Sequence, residues 1–223
     1  MVRTIFLLGS NDTFPSAIGD FIEASGGCSA GLVFLLPGGE LNGKLVPDYE
    51  KSLKKHDIKG WRFYPSTDTD ATDSAGPIRS ASGIVLGGGS SIYYYRRYVS
   101  GQLKDNITEA YESGVPIMAC CGSVMIVGDT YPLYQKGEGP IECRPALGLL
   151  SDYIFGIHFD KSRSLGHLLD NMAKTGISRG LGLGVKSWVI FKDGEMIKTV
   201  GDIYKIRMLE AKSLDYSIEE LHA

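Results

Sequence analysis

Short apolar runs alternate with longer segments of helical spacing along the first half of the chain. Thr4 to Leu8, Leu32 to Leu36, Trp61 to Tyr64, Gly83 to Leu86 and Ile117 to Cys120 each end in a cluster of Gly, Pro, Ser or Asp, the pattern of strands that stop at turns. Between them Pro15 to Ser25, Pro47 to His56 and Ile92 to Ser113 read as helices, with Pro15 and Pro47 at first-turn positions where a missing N–H is harmless. Strands this apolar, separated by helices, predict a doubly wound α/β fold: a mainly parallel sheet with helices on both faces. After about Tyr153 the runs lie closer together. Trp188 to Lys192 and Met196 to Val200 flank Asp193-Gly194, a hairpin dipeptide, which predicts a C-terminal antiparallel hairpin extension. No repeat, low-complexity tract or compositional break divides the sequence, so residues 1–223 are expected to form one α/β domain.

Composition narrows the class of partner. The 223 residues are 43% hydrophobic, enough for one sizeable core, and carry a net charge of −3 with no long Lys/Arg block, which argues against nucleic acid. No apolar run approaches the roughly 20 residues of a membrane helix, and the run at Ile5 to Leu8 is too brief for a secretory signal. Four cysteines, two of them adjacent, form neither a disulfide framework nor a zinc pattern. A cytoplasmic protein without cofactor or metal, acting on a small molecule, is expected; a homo-oligomer is left open. Ser66 to Arg79, with Asp68, Asp70 and Asp73, reads as a mobile, solvated acidic loop rather than a cation site.

Candidate chemistry gathers at three strand ends. Gly114-Val115-Pro116-Ile117-Met118-Ala119-Cys120-Cys121-Gly122-Ser123-Val124-Met125 takes an apolar strand straight into a small-residue turn, with a helix expected from about Val124. Such an elbow lifts one side chain, Cys121, to the carboxyl edge of the sheet, where helix N–H groups favour a thiolate or an oxyanion. Strand alternation turns Cys120 into the core. From the residues alone Cys121 is either a nucleophile or core filler. Ile84-Val85-Leu86-Gly87-Gly88-Gly89-Ser90-Ser91 ends a strand in three glycines, either a tight turn or a loop whose exposed N–H groups bind an anion or oxyanion. It has neither the G-x-G-x-x-G order nor the P-loop ending. Among the four histidines, His158 alone closes an apolar strand, Ile154-Phe155-Gly156-Ile157-His158. A candidate nucleophile, a candidate base and a donor loop, each at a strand end, point together to a catalytic constellation.

These residues carry a resemblance to the dipeptidase E and cyanophycinase family of serine peptidases, within the class I glutamine amidotransferase-like fold group. The Gly87-Gly88-Gly89 loop resembles that family's oxyanion loop. Ala119-Cys120-Cys121-Gly122-Ser123 followed by Val124-Met125-Ile126-Val127-Gly128 resembles its G-x-S-A-G-A elbow. Leu147-Gly148-Leu149-Leu150, His158-Phe159 and Leu165-Gly166-His167-Leu168-Leu169 resemble the segment bearing its histidine. The resemblance implies Cys121 in the nucleophile's place, His158 as base, and Gly88, Gly89, Gly122 and Ser123 around the oxyanion and substrate. Ser123, two residues beyond the apex, is the alternative nucleophile. The frame also superposes Cys121 on the glutamine amidotransferase nucleophile, but Val124 and Met125 replace the residues expected there. The family's supporting acid should follow Gly180-Leu181-Gly182-Leu183-Gly184-Val185-Lys186-Ser187, where no carboxylate occurs. Ser187, Asp160, Glu195 and Asp202 are the candidates to orient His158.

A thiol tolerates that loss better than a serine, because an imidazolium and a helix N-terminus can lower its pKa unaided. The resulting expectation is a peptidase-like hydrolase of a small peptide or amide, working through a low-pKa Cys121 and His158. The alternatives are a catalytically silent binding or redox-sensing protein of the same fold, and a thioester-forming amidotransferase. Arg96, Arg97 and Arg163 are either substrate-carboxylate ligands or solvated surface charges.

Overall fold

The computed structural model describes every residue except 38–39, 59, 66–74, 135–139, 211–214 and 223. The acidic residues Asp68, Asp70 and Asp73 of the expected mobile loop lie outside the described residues. In chain order the elements are β1 (Thr4–Leu8), α1 (Phe14–Ala24), β2 (Gly31–Leu36), α2 (Glu40–Lys54), β3 (Gly60–Pro65), α3 (Ala75–Ser80), β4 (Gly83–Leu86), α4 (Ser91–Tyr98), α5 (Gly101–Glu112), β5 (Ile117–Cys120), β6 (Thr130–Tyr134), β7 (Pro140–Pro145), β8 (Tyr153–Ile157), α6 (Lys161–Thr175), β9 (Arg179–Leu183), β10 (Trp188–Lys192), β11 (Glu195–Val200), β12 (Asp202–Glu210) and β13 (Asp215–His222).

The described strands form a seven-stranded sheet in the order β11-β10-β1-β5-β4-β2-β3, a four-stranded sheet β13-β12-β9-β8, and a β6-β7 pair. In the large sheet β1, β5, β4, β2 and β3 run parallel, while β10 and β11 are antiparallel to their neighbours. Alternation along each strand sorts the core into two layers. Ile5, Leu7, Val33, Leu35, Ile84, Leu86, Ile117 and Ala119 meet Ile78, Tyr94, Tyr98, Leu103 and Ile107 of α3, α4 and α5. Phe6, Leu8, Leu32, Phe34, Val85, Met118 and Cys120 meet Phe14, Ile18, Phe21, Tyr49 and Leu53 of α1 and α2. Each fully buried side chain of this size removes enough apolar surface from water to contribute about 1.5–3 kcal/mol. The mainly parallel sheet covered on both faces is therefore the observed architecture. The first layer continues through Phe155, Leu181, Leu183 and Ile203 into the smaller sheet.

Five local expectations change. The second helix begins before Pro47, which sits in its interior. A proline there leaves the Gly43 carbonyl without its helical donor, and both residues face solvent, where water serves instead. The expected helix from Ile92 to Ser113 is two helices, because Ser100 is extended and Gly101 has φ +61°. After the elbow comes a six-residue 3₁₀ helix, Cys121–Ile126, not an α-helix, so little macrodipole develops there. The antiparallel extension is larger than one hairpin: Asp193 and Gly194, both at positive φ, close β10 onto β11, and β12 and β13 then build the second sheet against β9. The end of the predicted loop Ser66 to Arg79 is helical, since α3 begins at Ala75. No described helix is long and apolar enough to cross a membrane.

Candidate active site

β1, β4 and β5 are parallel neighbours, so the segments that leave them open at one edge of the sheet. Cys121 follows β5 directly and has φ 55°, a left-handed conformation disfavoured for a side chain of its kind. Ser123 holds it there. Its buried hydroxyl accepts the Cys120 N–H at 2.9 Å and lies 2.9 Å from Leu86 O and 3.0 Å from Cys120 O, to which it donates. Gly122 has no alternative, since a Cβ there would stand 1.9 Å from Gly89 O. The elbow and the glycine loop are thus pressed backbone to backbone, and Gly89 itself takes φ +141°.

His158 arrives from the other sheet. It follows β8 with φ 47°, and its Nε2 lies 3.2 Å from Cys121 Sγ. The next residue anchors it: the Phe159 N–H donates to Leu183 O at 2.8 Å, and its ring is buried against Tyr204 at 5.0 Å between centroids. A Cβ on Gly182 would meet that ring at 2.5 Å, one on Gly156 at 3.0 Å, and one on Gly180 would strike Met172 Sδ at 2.7 Å. The glycine-rich strand β9 therefore exists to admit Phe159 and α6.

The surroundings of the thiol favour the neutral form. Burial pushes the half-buried Cys121 upward from the ordinary thiol value; the N–H groups of Gly122 and Gly89 pull it down, and Asp12 pushes it up again. The low-pKa thiolate expected from a helix N-terminus is not what this environment produces. Burial also drives Cys120 far above the ordinary range, as suits a core thiol.

The other expected site residues separate into those at Sγ and those committed elsewhere. Gly89 and Gly122 present their N–H groups to Cys121. The Gly88 N–H instead donates to the Tyr49 hydroxyl at 3.1 Å and is committed there rather than to Cys121. Ser123 is fully buried, and its hydroxyl is committed to bracing the turn. Ser187 donates to Gly184 O at 2.7 Å, Asp160 caps α6 through the Ser162 N–H at 2.9 Å, and Asp202 lies 2.8 Å from His222 Nδ1. Glu195 pairs with Lys192 beside the start of β1, the sheet edge opposite the elbow. Among the described residues no hydrogen bond reaches His158 Nδ1. Arg163 acts on Asp160 and Arg96 on Tyr131, and neither arginine is among the charges that act on Cys121. No described group of three His, Cys, Asp or Glu is arranged to hold a metal.

Three residues escaped the sequence reading. Asp12, on the turn after β1, is an exposed carboxylate that acts on Cys121. Tyr49 and Phe159 look like ordinary core aromatics, and only the glycines opposite them hint at more.

The sequence pattern of the CobB/CobQ-like glutamine amidotransferase domain matches residues 51–176, more than half of the chain. No curated protein sequence matches. Among solved structures, the crystal structure of a peptidase from an acI-B1 Actinobacterium superposes with a TM-score of 0.73 at 16% identity, covering 100% of this chain and 98% of that one. A candidate peptidase E protein from Listeria monocytogenes EGD-e superposes with a TM-score of 0.61 at 13% identity, covering 89% of this chain and 98% of that one. The fold they share with this chain is the class I glutamine amidotransferase-like fold expected from the three motif segments.

Proposed function

The chain belongs to the CobB/CobQ-like glutamine amidotransferase domain family, and on that premise we propose that it is a cysteine-dependent hydrolase of a small peptide or carboxamide. The observation that supports this reading is the 3.2 Å approach of Cys121 Sγ to His158 Nε2 beside the Gly89 and Gly122 N–H groups. His158 Nε2 takes the thiol proton as Sγ bonds to the substrate carbonyl carbon, and the carbonyl electron pair moves onto oxygen. The Gly89 and Gly122 N–H groups receive that oxyanion, a contribution of roughly 10²–10³ in rate per donor. Collapse breaks the C–N bond, Nε2–H protonates the departing nitrogen, and a thioester remains. Water then gives its proton to Nε2, adds to the thioester, and releases a carboxylic acid and the free thiol. Because the resting thiol is raised rather than lowered, proton transfer accompanies attack instead of preceding it.

A second reading, a silent member of the fold, draws on His158 Nδ1, which no hydrogen bond reaches among the described residues. Loss of the orienting carboxylate in a serine triad lowers turnover about 10⁴-fold.

The test combines intact-mass detection of an acyl adduct with turnover of an amide panel: glutamine, dipeptides with an acidic residue at the scissile bond, and neutral dipeptides. A Cys121-linked adduct and turnover that vanish in Cys121→Ala, with turnover lost in His158→Ala, are the expected result. Absence of any adduct across the panel favours the silent reading. The iodoacetamide rate of Cys121 should rise only above the ordinary thiol range; a thiolate plateau at neutral pH that disappears in His158→Ala would instead mean a preformed ion pair.

A further inference from the structure

Tyr49 sits where the loop after β4, the turn after β1 and the end of β5 come together. Its hydroxyl accepts the buried Gly88 N–H at 3.1 Å and donates to Asn11 Oδ1 at 2.9 Å, tying the loop after β4 to the turn after β1. The Cys120 thiol, at the end of β5, is buried in the same core layer as the Tyr49 ring. The ring cannot drift, for it is 1% exposed and packed between Phe14 at 4.5 Å and Phe34 at 5.4 Å. Asn11 closes the other side of the loop: a Cβ on Gly88 would stand 2.0 Å from both its Nδ2 and its Oδ1. One residue further, Gly89 turns its own N–H to Cys121 and its carbonyl to Gly122. The direction of successive N–H groups in this loop is therefore set where Gly88 is gripped.

We propose that Tyr49 is a positioning residue of the oxyanion site: its hydroxyl fixes the Gly88 amide so that the Gly89 N–H points at the reacting centre. The proposal rests on the amide-hydrolase reading above. Tyr49 touches no substrate; it acts through the loop. Without the hydroxyl, the Gly88 N–H is a buried donor with no partner, and the loop gains a reason to rotate.

Tyr94 supplies the comparison. It is equally buried, but its hydroxyl donates to Leu35 O at 3.3 Å and grips no loop N–H. Tyr49→Phe and Tyr94→Phe each remove one buried hydroxyl and should lower the thermal midpoint comparably. Only Tyr49→Phe should lower kcat, by about 10- to 100-fold with KM nearly unchanged, because a misaimed oxyanion donor is felt in the transition state. Iodoacetamide alkylation of Cys121 at a pH where the thiol is fully ionised, which uses no oxyanion donor, should be the same in both variants, while at neutral pH it should slow in Tyr49→Phe alone as the Gly89 N–H turns away from the thiol. Amide hydrogen exchange at Gly88 and Gly89 should accelerate at least about tenfold in Tyr49→Phe alone. Equal kcat losses in the two variants, or unchanged exchange at both glycines, overturns the proposal. If the native protein hydrolyses no amide, the hydrolase reading fails on its own, and the exchange measurement still decides whether Tyr49 holds the loop.

Discussion

Cys121 and His158 share a left-handed backbone, φ 55° and 47°, a conformation costing about 1 kcal/mol or more at each, yet the segments that hold them differ in kind. The cysteine is fixed by polar contacts. Ser123 satisfies the backbone on both sides of the turn, Gly122 abuts the Gly89 carbonyl, and the donor loop is gripped in turn. The histidine is fixed by shape: Phe159 fills a slot opened by Gly156 and Gly182, and no described group bonds to Nδ1. A hydrogen-bonded turn specifies direction to within a rotamer, whereas an apolar anchor specifies position and leaves the ring free to turn about its bond. The nucleophile side is built for aim and the base side for reach. Among the described residues Asp57, Asp152 and Asp193 also sit at positive φ, a region that a short polar side chain tolerates.

The sharpest way to break this contrast is Gly122→Ala. Its methyl cannot coexist with Gly89 O at 1.9 Å, so the elbow and the donor loop must separate. Turnover should fall by about 10³-fold or more, measured as kcat on whichever amide the native protein cleaves. On the histidine side Phe159→Ala should lower kcat about 100-fold by letting Nε2 wander and lower stability by roughly 3 kcal/mol in urea titrations. Addition of free imidazole should restore part of that activity but none of the loss in Gly122→Ala. Equal rescue of both would erase the distinction.

Ser123→Ala is expected to be milder. It leaves the buried Cys120 N–H without its partner, with a loss of about 1–3 kcal/mol and a kcat roughly tenfold lower, while the acyl adduct still maps to Cys121. An adduct that disappears entirely would return Ser123 to candidacy as nucleophile.

Asp12→Asn should produce the smallest change. Removing its charge takes away one cause of the raised Cys121 value, so the alkylation profile moves to lower pH and the neutral-pH iodoacetamide rate rises about twofold. The linkage has a definite sign. A thiol whose folded pKa is raised holds its proton longer when folded, so its contribution to stability is complete below the ordinary thiol range and is lost as pH rises through the folded value. Native stability should accordingly decline in alkaline urea titrations, slightly less in Asp12→Asn.

Much of this molecule was legible in its residues because strand alternation and turn chemistry are local. The five parallel strands, the Asp193-Gly194 hairpin, the inward turn of Cys120 and the placing of Cys121 and His158 at strand ends follow from periods and punctuation within a few residues. Helix limits were less legible, since Pro47 is tolerated inside α2 only because its surroundings are solvent. The division of labour among neighbours was not legible at all. Gly88 and Gly89 are indistinguishable as letters, and which N–H faces Cys121 was decided by a tyrosine 39 positions away. The glycines of β9 look like a loosened strand until Phe159 fills them, and a thiol expected to be acidic is raised because burial outweighs two N–H groups. Local pattern determines which side chains reach the edge of the sheet. Their protonation and partners depend on what is packed around them, which only the folded chain brings together.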